Sequence, residues 1–271
     1  MQNSSNNSST KPFAVVTGAS SGIGLELAKQ FAEHGFDLLI VSQSQNIAEA
    51  ERELQALGAG VESFQADLAT YDGVESLYSR IQSSGRPVDS IAINAGVGVS
   101  GDFTRDTDLE AELNLIGLNV VSPVHLTKRI AKDMVARGQG RILFTSSIAG
   151  TMPAPFYAVY GASKAFLSSF AQAIRNELKD TGVTITALMP GPTDTNFFQR
   201  AGMEDTKAGV SEKDDPADVA REGFEAIMAG KDHVVAGSFK NKLQAAAGHA
   251  LPDPLMAEMH RKQSEPGSAN K

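Results

Sequence analysis

The sequence predicts an α/β fold in which a doubly wound parallel sheet of about seven strands is covered by helices on both faces. Short apolar runs alternate along the chain with longer stretches whose apolar residues recur at helical spacing. The short runs are apolar throughout, which is typical of strands that are buried on both faces of a parallel sheet. No internal repeat or linker interrupts this alternation, so we expect a single domain.

The first apolar run, residues 13–17, stops at a glycine-rich turn and begins the series of elements. The helical repeat after it ends at Gly35, because glycine commonly closes a helix. The helix before the last strand has an aspartate N-cap, Pro216 at its first position and a closing glycine. Further strands are predicted at 37–42, 61–68, 89–96, 141–147, 183–191 and 232–237, and helices at 46–58, 73–85, 106–137, 160–182 and 215–230.

Composition narrows the classes of function. The chain has 271 residues, 41% of them hydrophobic, and a net charge of -8 without a basic block, which disfavours nucleic-acid binding. It has no cysteine, so disulfides and thiol catalysis are excluded. The five histidines lack metal-ligand spacing, so no metal site is expected. No apolar run approaches the length of a membrane span, so we expect a cytoplasmic protein that does not bind membranes.

The two ends of the chain differ from its middle. Residues 1–11 are polar, lack the basic and apolar regions of a secretory signal, and are predicted to be a disordered tail. Residues 12–237 hold the alternating elements, and 238–263 are predicted to form an extension of two short helices interrupted by prolines. Residues 264–271 are predicted to be a second disordered tail.

The turn after the first strand reads TGASSGIG at 17–24 and predicts a phosphate site. Its glycines let the backbone turn tightly and approach a ligand, and the helix that starts there offers free N–H groups and a positive dipole end. Tight packing of a helix on a strand also explains glycines at such a turn. Because the turn follows the first strand, a dinucleotide site in a Rossmann-like sheet is favoured.

The end of the second strand bears on which dinucleotide binds. An acidic residue there would hold the ribose 2′-hydroxyl of NAD, but Ser42, Gln43 and Ser44 are neutral. A 2′-phosphate would therefore meet no charge repulsion, although no arginine stands at 43 or 44 to bind it. The sequence favours NADP(H) over NAD(H) on this ground.

The segment YAVYGASK at 157–164 contains two tyrosines, of which only Tyr160 has a lysine four residues later. Residues four apart lie on one face of a helix, so the Lys164 ammonium is expected beside the Tyr160 phenol. A neighbouring cation favours phenolate and lowers a pKa that starts at about 10. Tyr160 is thus the candidate acid/base, and Tyr157 is expected to pack near the substrate or at the helix start.

Taken together, the segments TGASSGIG, NAG at 94–96, Ser147, YGASK and PGPTDT at 190–195 resemble the short-chain dehydrogenase/reductase family in order and spacing. The resemblance covers residues 12–237 and points to the ordinary, shorter branch of the family, which carries T-G-x-x-x-G-x-G. One departure is Ile93, where the family often has a further asparagine. The resemblance implies a Rossmann-like domain, an NAD(P) cofactor and oxidoreductase activity.

The resemblance also implies catalytic roles. Tyr160 matches the acid/base of the family, and Lys164 matches the lysine that lowers the tyrosine pKa and binds the nicotinamide ribose. Ser147, thirteen residues before Tyr160, matches the serine that binds the substrate oxygen. Its neighbour Ser146 competes for this role, but adjacent strand residues point to opposite faces, so only one of the two faces a cleft.

The asparagine that supports a proton-relay water in this family has two candidates, and we choose Asn119 because it follows Asn94 by 25 residues. Asn114 is then expected to be a surface or capping residue. In the family, Asp67 would reach the adenine amino group and Thr195 would bind a phosphate. Cofactor contacts are implied for Gly18, Ser20, Ser21, Gly22, Ile23, Gly24, Ser42, Gln43, Asp67, Leu68, Asn94, Ala95, Gly96, Tyr160, Lys164, Pro190, Gly191, Thr193 and Thr195.

The implied reaction is hydride transfer between the nicotinamide and a carbonyl or secondary alcohol, with Tyr160 supplying the proton. Three alternatives are weighed. A nicotinamide-binding regulator or scaffold would be signalled by loss of the tyrosine or lysine, and both are present. Reduction of another unsaturated bond fits less well than carbonyl chemistry because the serine is present. A Rossmann-like methyltransferase has no use for the serine, tyrosine and lysine.

The long segment after Gly191 is predicted to be a lid or binding loop. Phe197, Phe198 and Met203 are expected to form one apolar wall of a substrate pocket, and residues 152–157 the other. Ordinary packing is an equal alternative for both groups. An apolar carbonyl or alcohol compound is the substrate class that these walls indicate.

The remaining apolar residues bear on docking and assembly. In the extension, Leu251, Leu255, Met256 and Met259 are expected to dock on the domain, with a pocket cap or a subunit contact as alternatives. The helices near 117–137 and 157–180 resemble those through which family members form homodimers and homotetramers, so we expect such an oligomer. The alternative is that the apolar residues of the second helix all face the sheet: Ala165, Phe166, Phe170, Ala173 and Ile174.

Overall fold

The computed structural model describes residues 11–270, except for the side chains of His249, Ala250 and Asn270. Apart from Lys11, the predicted N-terminal tail lies outside the described residues. Within them, seven parallel strands form one sheet in the order β3-β2-β1-β4-β5-β6-β7. The strands are β1 (Phe13–Thr17), β2 (Asp37–Ser42), β3 (Val61–Gln65), β4 (Ser90–Ile93), β5 (Gly140–Thr145), β6 (Val183–Pro190) and β7 (His233–Ala236).

Helices connect successive strands and follow the last one. A five-residue π-helical turn, Gly117–Val121, joins two of them, and a 3₁₀ turn, Ile148–Thr151, follows β5. The α-helices of the described chain are α1 (Gly22–Glu33), α2 (Ile47–Gln55), α3 (Tyr71–Ser83), α4 (Leu109–Ile116), α5 (Ser122–Arg137), α6 (Ala158–Glu177), α7 (Phe197–Arg200), α8 (Lys207–Val210), α9 (Pro216–Met228), α10 (Phe239–Ala250) and α11 (Asp253–Ser264).

The sheet has an apolar core on each face, which explains why its strands are apolar throughout. Neighbouring strand residues point to opposite faces, so Val15 and Phe144 pack under α3, α5 and α6. Val16 and Leu143 pack under α1, α2 and α9 on the other side. The α/β fold class and the single domain predicted from the sequence are therefore confirmed.

The direction in which strands are added reverses at β1, because β2 lies on one side of it and β4 on the other. The loops that leave the carboxyl ends of β1 and β4 therefore separate and leave a crevice between them. The segments that the sequence analysis singles out, 17–24 and 94–96, are these two loops. The topology thus places the candidate site at this edge of the sheet.

The C-terminal segment differs from its prediction. Residues 264–270 are not a disordered tail in the described chain, because Ser264 and Ser268 are buried and the segment ends in a 3₁₀ turn. Ser268 Oγ accepts from the Lys207 amide at 3.0 Å, and the Ala269 amide donates to the Asp205 carbonyl oxygen at 3.0 Å. These tertiary hydrogen bonds order a polar segment that its composition predicts to be disordered.

No helix within residues 11–270 combines the length and the apolar character needed to cross a bilayer.

Candidate active site

Hydrogen bonds between strand ends build the floor of the crevice. Thr17 Oγ1, at the end of β1, accepts from the amides of Asn94 and Ala95, each at 3.0 Å. The Asn94 side chain donates to the Thr17 carbonyl oxygen at 3.1 Å and accepts from Thr145 Oγ1 at 3.0 Å. Asn94 therefore joins the ends of β1, β4 and β5, which fixes where the loops after these strands begin.

The loop between β1 and α1 forms a concave cradle, and its backbone requires glycine at three positions. Gly18 and Gly22 have positive φ angles of 69° and 57°. A Cβ on Gly24 would lie 2.2 Å from the carbonyl oxygen of Gly18 and 2.5 Å from Asn94 Nδ2. The first turn of α1 contains no acidic residue and its N-cap, Ser21, makes no side-chain cap bond. This uncapped helix start, with its positive dipole end, suits a pyrophosphate group, so the residues present fit a dinucleotide.

The neutral end of β2 lies beside this cradle. Ser42 Oγ and Ser20 Oγ are 3.0 Å apart, and Ser42 Oγ also accepts from the Ser44 amide at 3.1 Å. Gln65 donates to the carbonyl oxygen of Gln43 at 2.8 Å, which holds the loop in place. The cavity wall that follows β2 thus offers hydroxyl and amide groups and carries no charge.

Tyr160, Lys164 and Ser147 meet at the other end of the crevice. Tyr160 and Lys164 lie on one face of α6, with Lys164 Nζ 5.6 Å from the centroid of the tyrosine ring. Lys164 Nζ donates to the carbonyl oxygen of Thr145 at 2.8 Å. Ser147 follows β5, lies against the Tyr160 hydroxyl, and makes a 3.4 Å bond to the carbonyl oxygen of Pro190. All three side chains are buried.

Burial governs the protonation of this group. It raises the pKa of Tyr160 to about 12, and the hydrogen bond with Ser147 lowers it only in part. Burial also lowers the pKa of Lys164 to about 8. The Tyr160–Lys164 spacing predicts a lowered tyrosine pKa; in the folded chain, the loss of water around the phenol raises it instead. Tyr160 is therefore a protonated donor at neutral pH.

Ser147 and Asn119, the residues chosen from the sequence, each had a competitor nearby in the chain. Ser146 Oγ donates to the carbonyl oxygen of Lys164 at 2.7 Å and lies 2.8 Å from Ser168 Oγ. Both partners belong to α6, so the Ser146 hydroxyl is hydrogen-bonded to that helix. The hydroxyl of Ser147 lies beside Tyr160 instead. Asn114 is exposed, as expected of a surface residue.

Asn119 lies in the π-helical turn and behind the cavity wall. Its Oδ1 accepts from the Val97 amide at 3.0 Å, and its Nδ2 donates to the Val97 carbonyl oxygen at 2.9 Å and to Ser163 Oγ at 3.1 Å. The side chain thus ties the loop after β4 to α6. Short π-helical turns within helices are frequent at functional sites. The proton-relay role of Asn119 stays a prediction.

These residues surround one cavity of about 630 Å³, a volume in the range of small-molecule sites, about 300–1,000 Å³. Ser147 and every residue predicted to contact the cofactor line it, whereas Asn119 does not. Phe197, Phe198 and Met203 form the expected apolar wall. Of the expected second wall at 152–157, Tyr157 alone is among the lining residues.

The extension supplies lining residues that the sequence analysis missed. Gln244 of α10 and His260 and Gln263 of α11 reach the cavity. Of the four apolar residues expected to dock, Met256 alone is buried, and Leu251, Leu255 and Met259 are 40%, 49% and 47% exposed. Helix α11 docks instead by the face that carries His260 and Ser264. These two polar side chains bond the main-chain carbonyl oxygens of Pro153 and Pro155. In the sequence, the four-residue spacing of Met256, His260 and Ser264 is the signal that could have indicated this docking face.

Comparisons with known proteins agree with this geometry. The family described as short chain dehydrogenase matches residues 12–205. The chain is 34% identical over 190 residues to the uncharacterized oxidoreductase YmfI of Bacillus subtilis, which covers 69% of this chain and 77% of YmfI. It is 30% identical over 251 residues to the ketoacyl reductase HetN of a Nostoc species, covering 88% and 84%. A solved short-chain dehydrogenase from Sphingobium yanoikuyae in complex with NADPH matches with a TM-score of 0.78 and 27% identity, covering 91% of this chain and 95% of that one.

Proposed function

Because the chain belongs to the short-chain dehydrogenase family and is an oxidoreductase, we propose that it reduces the carbonyl group of an apolar small molecule with NADPH. The observation that carries the proposal is the buried Tyr160 hydroxyl, which lies with Ser147 and Lys164 in the cavity that also contains the glycine cradle. Tyr160 is the proton donor and Ser147 the second donor to the carbonyl oxygen. NADPH, when bound, supplies the hydride.

The protonation of Tyr160 favours the reductive direction. Negative charge grows on a carbonyl oxygen during reduction, and two hydrogen-bond donors held in a buried wall stabilise it without reorganising. A phenol with a pKa of about 12 holds its proton until that charge develops. Lys164 is held beside the ring by Thr145 and retains hydrogen atoms for a ribose hydroxyl.

The preference for NADPH rests on the end of β2. A ribose 2′-phosphate there would meet the hydroxyls of Ser20 and Ser42 and no carboxylate. The Sphingobium neighbour was solved with NADPH, which supports the same choice.

The substrate class follows from the wall around Tyr160. The Phe197 ring lies 5.1 Å from the Tyr160 ring, and Phe198 lies 5.7 Å from Phe197. An acyl or alkyl group beside the carbonyl would pack on these rings. The name of one relative, the ketoacyl reductase HetN, fits such a substrate. We propose an apolar ketone or ketoacyl compound, reduced by a homodimer or homotetramer in the cytoplasm.

The test is a pair of titrations followed by a turnover assay. NADPH and NADH are titrated separately into wild type and Tyr160→Phe, with cofactor fluorescence as the readout. We expect tighter binding of NADPH in both proteins. In a panel of apolar ketones, Tyr160→Phe should lower kcat by roughly 10²–10⁴-fold, the usual contribution of a general acid.

The outcomes separate the alternatives. Retained turnover in Tyr160→Phe would refute its role, and equal affinity for both cofactors would refute the β2 argument. Tight NADPH binding without reduction of any carbonyl would favour a cofactor-binding regulator or another unsaturated substrate.

A further inference from the structure

Helix α11 brings a buried histidine to the substrate end of the cavity. Met256, His260 and Ser264 are four residues apart and form its buried face. Ser264 Oγ donates to the carbonyl oxygen of Pro155 at 2.8 Å. His260 bonds the carbonyl oxygen of Pro153 through Nδ1 at 3.0 Å, and its Nε2 bonds the Tyr157 hydroxyl. The extension is therefore hydrogen-bonded to residues 153–157, the segment that leads into α6.

The two hydrogen bonds of His260 determine its tautomer. A carbonyl oxygen only accepts, so the Nδ1 that faces Pro153 carries the ring hydrogen. Burial lowers the pKa of His260, so the ring is neutral at pH 7 and its Nε2 is an acceptor. The Tyr157 hydroxyl must then donate its hydrogen to the histidine.

Tyr157 is left as an acceptor in the wall of the pocket. Tyr157 and His260 both line the cavity, and the Tyr157 ring lies 6.0 Å from the ring of Tyr160. Among the residues that the structure describes, none donates a hydrogen bond to the Tyr157 oxygen. Because the hydroxyl hydrogen of Tyr157 is used in the bond to His260, a ligand can bond this oxygen only by donating a hydrogen of its own.

The backbone before Tyr157 is also held in an unfavourable conformation. Phe156 has a φ of 64°, in the left-handed region that non-glycine residues rarely adopt. Its carbonyl oxygen accepts from the Gly101 amide at 2.7 Å, and the Arg261 guanidinium of α11 lies 4.9 Å from its ring centroid. Such strain persists where the surroundings hold it, and it recurs at ligand sites.

We propose that His260 determines substrate specificity: by holding the Tyr157 hydroxyl as an acceptor, it selects, among carbonyl compounds with an apolar skeleton, those that carry one hydroxyl or N–H group within reach of Tyr157. The reacting carbonyl binds at Tyr160, and the second polar group of the same molecule donates to Tyr157. This inference rests on the proposed carbonyl reduction.

The test compares hydroxyketones with their O-methyl ethers, which have the same skeleton but no donor. For at least one hydroxyketone of suitable length, the wild-type ratio of kcat/KM for alcohol over ether should be about tenfold, as expected for one hydrogen bond to a buried group. The ratio should fall to near one in Tyr157→Phe and in His260→Phe. Ser264→Ala, which removes the other docking bond, should retain the wild-type ratio.

A wild-type ratio near one for every pair would overturn the proposal, and so would an unchanged ratio in Tyr157→Phe or in His260→Phe. An equal loss in Ser264→Ala would also overturn it, because His260 would then only anchor the helix.

A second measurement needs no turnover and separates this inference from the proposed function. Nitrogen NMR of ¹⁵N-histidine-labelled protein, assigned by loss of one signal set in His260→Phe, reports the tautomer of each ring. We expect the Nδ1–H form for His260, with its Nε2 signal shifted in Tyr157→Phe. An Nε2–H form would overturn the assignment of Tyr157 as donor. If no ketone is reduced while the Nδ1–H form is found, the proposed function and the specificity role both fail, but the His260–Tyr157 pair stands.

Discussion

Lys164 is part of the candidate active site, and the burial of its charged form lowers the free energy of unfolding. Its ammonium is buried and has the Thr145 carbonyl as its hydrogen-bond acceptor within the described chain. A pKa lowered from 10.5 to about 8 corresponds to about 3 kcal/mol of unfavourable burial of the charged form. We predict that Lys164→Met raises the free energy of unfolding at pH 7 by about 1–3 kcal/mol, since an apolar side chain of similar length has no charge to bury. Urea denaturation measures the change, and turnover with a ketone should be lost.

The pH dependence of this difference is a separate prediction. Below pH 8 the lysine carries its proton in both states, so the penalty is complete. Between about pH 8 and 10.5 the unfolded chain binds more protons than the folded one, so wild-type stability rises with pH. The raised pKa of Tyr160 acts only above pH 10, where it makes stability fall. The gap between Lys164→Met and wild type should thus narrow from pH 7 to pH 9.5; a constant gap would contradict a neutral buried lysine.

At the scale of elements, α1 connects stability with cofactor binding. A Cβ on Gly24 would meet the Gly18 carbonyl oxygen at 2.2 Å, so the helix start must move away from the strand end. We predict that Gly24→Ala lowers the free energy of unfolding by about 1–3 kcal/mol, the usual range for overpacking, and weakens NADPH binding at least tenfold. Denaturation and fluorescence titration measure the two effects.

Gly35, just beyond the other end of α1, is the matched control. It has a φ of 84°, and a Cβ there would meet nothing within 4 Å. Gly35→Ala should therefore cost about 1–2 kcal/mol from the left-handed backbone alone and leave NADPH affinity unchanged. Equal loss of affinity in both variants would mean that the cradle geometry at Gly24 does not matter for binding.

At the scale of the whole molecule, exposed apolar residues along α4, the π-helical turn after it and α6 favour self-association. Leu113, Val121 and Phe166 are 56%, 55% and 37% exposed. Phe170 and Ile174 pack toward the sheet, whereas Ala165 and Ala173 are exposed, so α6 has apolar residues on both sides. Contiguous exposed apolar surface marks association sites.

We predict a light-scattering mass of two or four times 28.6 kDa at micromolar concentration. Replacing the apolar contact with a charge in Leu113→Asp should lower the mass, because an unpaired carboxylate is costly to bury in an interface. NADPH affinity should not change, since Leu113 is outside the cavity. A wild-type mass of 28.6 kDa would show that the surface does not self-associate.

The sequence by itself determined the order of the elements, the parallel sheet, the glycine turn and the Tyr160–Lys164 face. These features depend on local periodicity, on backbone sterics at glycine and on the four-residue repeat of a helix, all of which act between residues close in the chain. The crevice at β1 and β4 follows from them, because parallel strands carry their loops at one edge.

Only the tertiary structure decided how far burial raises the pKa of Tyr160, and that α11 brings His260 to the pocket. Composition likewise predicts a disordered tail at 264–271, although residues 268 and 269 bond Lys207 and Asp205 in the folded chain. Each outcome depends on partners far away in the sequence. His260 bonds a residue 103 positions earlier. Burial, desolvation and such hydrogen bonds arise from packing between distant segments, and no pattern within a short stretch of chain records them.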